Sequence, residues 1–526
     1  MYRRTGVLVA AGAAVAGLVT GVPSAATAGT GANTLTWRSC ASEDYPRLEC
    51  AELNVPLDHT RPQGRQITLA LSRVRHTAKT FQGPLLVNPG GPGGSGRRLA
   101  GFVAASLPAK VAAQYDVIGF DPRGVGKSKP ALNCRPGHFA PVRAGSVPHT
   151  AQTERAQLLR AVAFTEACTA RYGDLLPYMD TVSTARDLDV VRRALGAEQI
   201  NYFGYSYGTY LGAVYAKHFP HRVRRLVLDS VVNPDGVWYA DNIGQNYGFD
   251  ARHKAFAAWV ARNDATYRLG GDPAKVEATW YAMRDALAVR PAAGRVGPAE
   301  LEDTFLPGGY YNGFWPHLAE AFAAYVNDKD AGPLVEAYES YGAVDKEDDN
   351  GYSVYTAVQC RDAAWPRDWG TWHADNWAVH AKAPFSTWNN AWYNAPCASW
   401  PVAPLKPVDV TNRALPPVLI FQATDDAATP YEGGVALHRK LTGSRLIVEE
   451  GGGNHAVTLG GNTCLDRYLT AYLATGKVPR AAGAAEADAA CAATAEPKPR
   501  KASARDGMTD TARAGAALHQ VLGHRN

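Results

Sequence analysis

Ile200-Asn-Tyr-Phe-Gly204-Tyr205-Ser206-Tyr207-Gly208-Thr-Tyr-Leu-Gly-Ala-Val-Tyr-Ala-Lys217 is the stretch whose reading decides how this chain folds. An apolar, aromatic run from Ile200 to Phe203 leads into Gly204-x-Ser206-x-Gly208, and a helix-like segment follows. The pattern is strand, sharp turn and helix, with a serine at the apex of the turn. The glycines accept the tight backbone and leave the hydroxyl unobstructed. With 51 glycines in 526 residues the pentapeptide alone carries little weight, so its neighbours must support it.

Working outward, Gln66 to Val74, Pro84 to Asn88, Tyr115 to Phe120, Arg225 to Asp229, Val418 to Gln422 and Arg445 to Glu449 read as further strands. Helix-like segments such as Ala151 to Tyr172 and Thr184 to Leu195 separate several of them. Strands alternating with helices give an α/β fold with a mainly parallel sheet flanked by helices. Ligands of such sheets bind beyond the carboxyl ends of the strands, where Ser206 is expected.

A serine hydroxyl at neutral pH needs a base, and the base needs an orienting acid. On a strand-elbow-helix scaffold these follow in the order serine, acid, histidine. The run Val418-Leu-Ile-Phe-Gln422 precedes Ala423-Thr-Asp425-Asp426-Ala-Ala-Thr-Pro430, which makes Asp426 the expected acid, with Asp425 and Asp229 as rivals. The segment Gly451-Gly-Gly-Asn454-His455, just past the last strand, makes His455 the expected base. Upstream, Asn88-Pro-Gly-Gly91-Pro-Gly-Gly-Ser-Gly96 follows a strand and can turn backbone N–H groups toward an oxyanion. Gly91 is the expected first donor and Tyr207 the second. A phosphate cradle is excluded because G-x-x-x-x-G-K-[ST] is missing from this stretch.

Composition is that of a globular enzyme, 46% hydrophobic and 20% charged. The formal charge is +5, of which two come from Arg3 and Arg4, too little to argue for a nucleic-acid partner. Residues 1–28 read as a removed export signal: a basic start, the apolar stretch Gly6 to Gly21, and Ala26-Thr-Ala28 as the cleavage site. No later segment has membrane-spanning length and character, so no membrane association is expected after its removal. All eight cysteines follow the signal, and in an exported chain an even number points to disulfides. Neighbour spacing suggests Cys40–Cys50, Cys134–Cys168, Cys360–Cys397 and Cys464–Cys491. Neither C-x-x-C nor H-E-x-x-H occurs, and no metal or organic cofactor is expected.

The strand-helix rhythm lapses between Pro234 and Pro407, which holds 11 of the 12 tryptophans. This reads as a mostly helical lid over 236–407, inserted between core segments 29–235 and 408–495. Most of its tryptophans are expected to form the lid's own core and a few to line a pocket. Residues 496–526, rich in Lys, Arg and Ala, read as a loosely attached tail.

Asn88-Pro-Gly-Gly-Pro-Gly93, Asp121-Pro-Arg-Gly-Val-Gly-Lys-Ser128, Gly204-Tyr-Ser-Tyr-Gly208 and Asp426-Ala-Ala-Thr-Pro430 together resemble the prolyl-aminopeptidase branch of the α/β-hydrolases. The likeness is to the secreted bacterial tripeptidyl aminopeptidases and runs from about Trp37 to Cys491. It implies an α/β-hydrolase fold, Ser206, Asp426 and His455 as a catalytic triad, a helical lid, and release of short peptides from free N-termini. Two positions depart from the common pattern: Asn88 stands where many relatives have His, and Asn454 where Gly is common. An exopeptidase needs a carboxylate for the substrate's ammonium group. Asp362, next to Trp365, is the expected anchor, with the run Glu347-Asp348-Asp349 as the other acidic choice. The expectation is a secreted serine exopeptidase acting on peptide N-termini, with an esterase or amidase using the same triad as the alternative.

Overall fold

The computed structural model describes residues 35–483, 486–500 and 510–522. The export signal expected at 1–28 lies outside them. Ten strands, β1 (Arg38–Ser39), β2 (Glu49–Pro56), β3 (Gln66–Val74), β4 (Pro84–Asn88), β5 (Asp116–Asp121), β6 (Ile200–Tyr205), β7 (Val223–Asp229), β8 (Val418–Ala423), β9 (Arg445–Glu450) and β10 (Ala489–Ala492), form one sheet. Their spatial order is β1-β2-β3-β5-β4-β6-β7-β8-β9-β10. The edge from β1 through β3 to β5 is antiparallel, and every pairing from β5 through β4 to β10 is parallel.

The parallel strands are apolar on both faces because both faces are covered. Side chains alternate sides along each strand, and the core divides accordingly. Leu86, Tyr202, Leu226, Leu228 and Ile420 join one cluster, covered by the helices Thr181–Ala194 and Tyr207–His218. Leu85, Val87, Phe203, Val227 and Phe421 join the other, covered by Arg97–Ser106 and Thr463–Thr475. Asp180 starts the first of these helices by accepting the Ser183 N–H at 2.7 Å, so it begins three residues before the expected Thr184.

Between β7 and β8 the chain is helical and carries no strand of the sheet. Trp259, Trp280 and Trp315 centre a separate apolar cluster there. The insertion is also fastened to the excursion between β5 and β6. Trp388 and Trp392 pack with Val147 and Ala161, and Arg143 pairs with buried Glu300 at 2.9 Å. The four disulfides are Cys40–Cys50, Cys134–Cys168, Cys360–Cys397 and Cys464–Cys491, as the spacing suggests.

The tail differs from the expectation of a loose appendage. Trp259 Nε1 donates to the Pro497 carbonyl at 3.0 Å, and Arg262 pairs with Glu496 at 2.8 Å. The helix Asp510–Leu522 buries Leu518 and Leu522 in the core. Its His519 stacks on Tyr311 at 4.5 Å between ring centroids. Basic and alanine-rich composition hid an apolar helix face. Deleting residues 510–526 is expected to lower the melting temperature by roughly 5–10 °C, since two buried leucines are lost and Tyr311 is uncovered. A scanning-calorimetry Tm equal to that of the full chain would show that the helix contributes no stability.

Candidate active site

Ser206 lies where β6 gives way to the helix Tyr207–His218, with φ 56° and ψ −129°. This left-handed pose costs about 1–3 kcal/mol, and the surrounding structure must enforce it. The Ser206 N–H donates to the Asp229 carbonyl at the end of β7 at 3.0 Å, and the Ser206 carbonyl accepts the Thr209 N–H at 2.8 Å. A Cβ on Gly204 would collide with the Gly208 carbonyl, and one on Gly208 would stand 2.8 Å from Asn88 Oδ1, which explains the first and last residues of the pentapeptide.

The loop after β4 packs directly on this turn. Gly90 has φ +106°, and a Cβ there would stand 2.8 Å from the Ser206 Cβ and from the Tyr205 carbonyl. Asn88 shapes the turn by accepting the Gly90 N–H on Oδ1 at 3.0 Å. Ser95 donates to Asp121 at 2.5 Å, and Asp121 also accepts the Lys127 N–H at 2.8 Å. The segment Asp121 to Ser128 thus braces the glycine loop. Gly91, Ser206 and Tyr207 line one cavity. As the first residue of its helix, Tyr207 has an N–H with no intrahelical acceptor.

Asp426 and His455 meet beside this turn. His455 Nδ1–H donates to Asp426 Oδ2 at 2.8 Å, and their side chains are 3% and 0% exposed. Asp426 also accepts the N–H groups of Ala428 at 2.9 Å and Thr429 at 3.0 Å, and the Thr429 hydroxyl at 3.0 Å. These bonds fix the carboxylate and leave Nε2 as the imidazole's other nitrogen; it is buried and makes no hydrogen bond. Asp425, the local rival, is exposed and reaches the neighbouring loop only through its N–H, which donates to Gly452.

Asp229, the second rival, has a different partner set that the sequence did not disclose. It accepts the N–H groups of Val457 at 3.0 Å and Thr458 at 2.8 Å, and the Thr458 hydroxyl. It therefore holds the loop just beyond His455, and burial pushes its carboxyl up to about 6. The insertion holds the same loop from above. The His455 N–H donates to the Tyr310 carbonyl at 2.8 Å, and Asn454 Oδ1 accepts the Asn312 N–H at 2.9 Å. The Asn454 side chain is thus one of these two ties between the His455 loop and the insertion.

Asp362 and Trp365 do not fall where the sequence placed them. The cavity, about 380 Å³, is lined by neither. Asp362 is buried behind Tyr207, accepting the Thr181 N–H at 2.8 Å, the Thr181 hydroxyl at 2.5 Å and Trp238 Nε1–H at 3.4 Å. The Thr181 hydroxyl in turn accepts from the Tyr207 hydroxyl at 2.8 Å. Asp362 supports the wall that carries Tyr207 and is already satisfied. Trp365 donates Nε1–H to the Gln359 carbonyl and stacks on Trp372. Trp238 is the tryptophan that lines the cavity, beside Phe249, Tyr310, Tyr355 and Tyr393. Asp349 is likewise engaged elsewhere, on the Gly137 N–H.

Burial, with Asp180 nearby, pushes the Asp362 carboxyl up to about 7. A folded-state value above the ordinary aspartate range favours the native state while the group is protonated. That contribution declines as pH rises through about 7. Asp362→Asn, which does not titrate, is expected to be less stable than the parent at low pH and to narrow the gap above neutrality. Melting temperatures of both proteins across that range test this; a constant gap would contradict the assignment.

Residues 83–459 match the family model described as the alpha/beta hydrolase fold. The chain is 46% identical over 478 residues to the tripeptidyl aminopeptidase of Streptomyces coelicolor, covering 88% of this chain and 87% of that one. It is 33% identical to the serine protease Hip1 of Mycobacterium tuberculosis, covering 84% and 89%. A protein named carboxylesterase B from the same organism is 34% identical over 84% and 88%.

Proposed function

Because the chain belongs to the α/β-hydrolase fold family, we propose that it is a serine peptidase that releases short peptides, tripeptides foremost, from free N-termini. The observation that carries the reading is the site itself: a serine on a strained elbow, an acid-oriented imidazole, and a lid-enclosed cavity opening on both the serine and the glycine loop. The 46% identity to a tripeptidyl aminopeptidase supports the substrate class.

In this mechanism Ser206 Oγ attacks the carbonyl carbon of the scissile peptide bond as His455 Nε2 takes its proton. Asp426 keeps the proton-bearing Nδ1 on its own side and stabilises the imidazolium that forms. The oxyanion is held by the N–H groups of Gly91 and Tyr207, each worth roughly 10²–10³ in turnover. Collapse breaks the C–N bond, and His455 returns the proton to the departing amine. Water, deprotonated by His455, then cleaves the acyl-Ser206 ester and releases the short peptide.

Export fits the same reading. The four disulfides suit an oxidising compartment, and among the described residues no helix is long and apolar enough to cross a membrane. The esterase alternative is favoured by the carboxylesterase B relative, since a shared triad does not fix the substrate. Comparing kcat/KM on tripeptide anilides with that on short acyl esters separates the two. Efficient anilide cleavage supports the peptidase, and negligible anilide cleavage with rapid ester turnover supports the esterase.

A further inference from the structure

With Asp362 turned away, the cavity wall offers three carboxylates: Asp235, Asp241 and Glu432. Asp235 is exposed and paired with Lys440 at 2.8 Å. Glu432 is exposed, so water and salt screen it. Asp241 differs from both. It is the third residue of the helix Tyr239–Arg262, and its N–H donates to the Gly236 carbonyl at 3.0 Å. Gly236 leaves the room the carboxyl occupies, for a Cβ there would collide with Oδ1. Asp241 Oδ2 is screened from water and accepts no hydrogen bond.

A carboxylate in a first helical turn ordinarily serves the helix's free N–H groups. Here the unpartnered oxygen carries a desolvation penalty that no hydrogen bond from the described residues offsets. Burial, with Asp235 nearby, pushes the carboxyl up to about 8. The other polar side chains of the wall are uncharged amides and hydroxyls, several of them already hydrogen-bonded. Asn242 Nδ2 donates to Gln359 Oε1 at 3.2 Å, and Asn390 Nδ2 to Asn246 Oδ1 at 3.1 Å. Neutral amides do not discriminate strongly between an ammonium group and an acetamide, whereas a carboxylate in a poorly solvated wall does.

We propose that Asp241 is the group that receives the α-ammonium of the substrate's first residue and so restricts the cavity to peptides with a free N-terminus. This assignment rests on the peptidase reading above. A cationic group in the cavity that Asp241 lines favours the ionised carboxylate and offsets part of the cost of its burial. Asp241 is then a binding residue, and its effect falls on KM and on the ratio of free to blocked substrates.

The test is Asp241→Asn, assayed on one tripeptide anilide with a free and with an acetylated N-terminus. The ratio of kcat/KM for free over acetylated substrate is expected to fall about 10–100-fold, mostly through KM of the free substrate. Asp241→Glu, which keeps the charge, is expected to recover part of the ratio. Fluorophosphonate labelling of Ser206 in each variant reports that the site is folded. If Asp241→Asn does not fold, Asp241→Glu and Asp241→Ser carry the comparison, with the serine variant expected to lose the ratio. A parent enzyme that prefers the free amine and variants that keep that preference would overturn the assignment and leave the peptidase reading standing. A parent that cleaves neither anilide removes the peptidase reading itself.

Discussion

Ser206→Ala is expected to lower kcat/KM on a tripeptide anilide by about 10⁶-fold, close to the uncatalysed background, with the protein still folded. The backbone at Ser206 is held by bonds that its side chain does not make: N–H to the Asp229 carbonyl and carbonyl to Thr209. Alanine can therefore occupy the same turn, and only the nucleophile is removed. Ser230 provides the contrast. It also has a positive φ, 59°, and lies near the same loop. Its hydroxyl accepts the Ala456 N–H at 2.7 Å, which makes it a support for the base loop. Ser230→Ala is expected to weaken that loop yet keep covalent labelling by a fluorophosphonate, whereas Ser206→Ala abolishes it. Labelling that persists in Ser206→Ala would place the nucleophile elsewhere.

Asp426→Asn is expected to cost about 10⁴ in kcat. The carboxylate accepts from two backbone N–H groups, the Thr429 hydroxyl and His455 Nδ1–H. An asparagine has one acceptor oxygen for these donors and must turn an NH₂ toward one of them. Facing Nδ1, that NH₂ selects the tautomer with the proton on Nε2, which cannot take a proton from Ser206. Asp425→Asn, at an exposed position one residue away, is expected to change kcat only a few-fold. Steady-state kinetics of the two variants make the comparison, and equal losses would mean that the acid has been misassigned.

Much of the scaffold was legible because buried parallel strands carry a strong signal. The apolar runs at Pro84, Ile200, Arg225, Val418 and Arg445 all became neighbouring strands, and their order puts the elbow in mid-sheet. Three strands were missed, the two-residue β1 among them. In β2 the alternating residues of Glu49 to Pro56 interleave with charges on an antiparallel edge, while Ala-Ala-Cys-Ala in β10 has almost no pattern to read. Asp426 and His455 could be singled out because each follows a strand and their chain order is constrained, and the structure brings their side chains together. Asp362 was misplaced because nearness in sequence to an aromatic residue says nothing about which side of a helix faces a cavity. Burial direction is set by tertiary packing, and here it turned Asp362 toward Thr181 and left Asp241 on the cavity wall. The tail was misread by composition: Leu518 and Leu522, four residues apart, share the helix face that is buried.

The central claim is that the lid and elbow together make an enzyme that removes a short peptide from a free N-terminus. The most direct measurement is mass-spectrometric identification of the first products formed from one decapeptide, offered with a free and with an acetylated amino end. The expected products are the N-terminal tripeptide and its complementary heptapeptide from the free form, and little product from the acetylated form. Internal cleavage, equal cleavage of both forms, or no cleavage alongside rapid ester hydrolysis would contradict it.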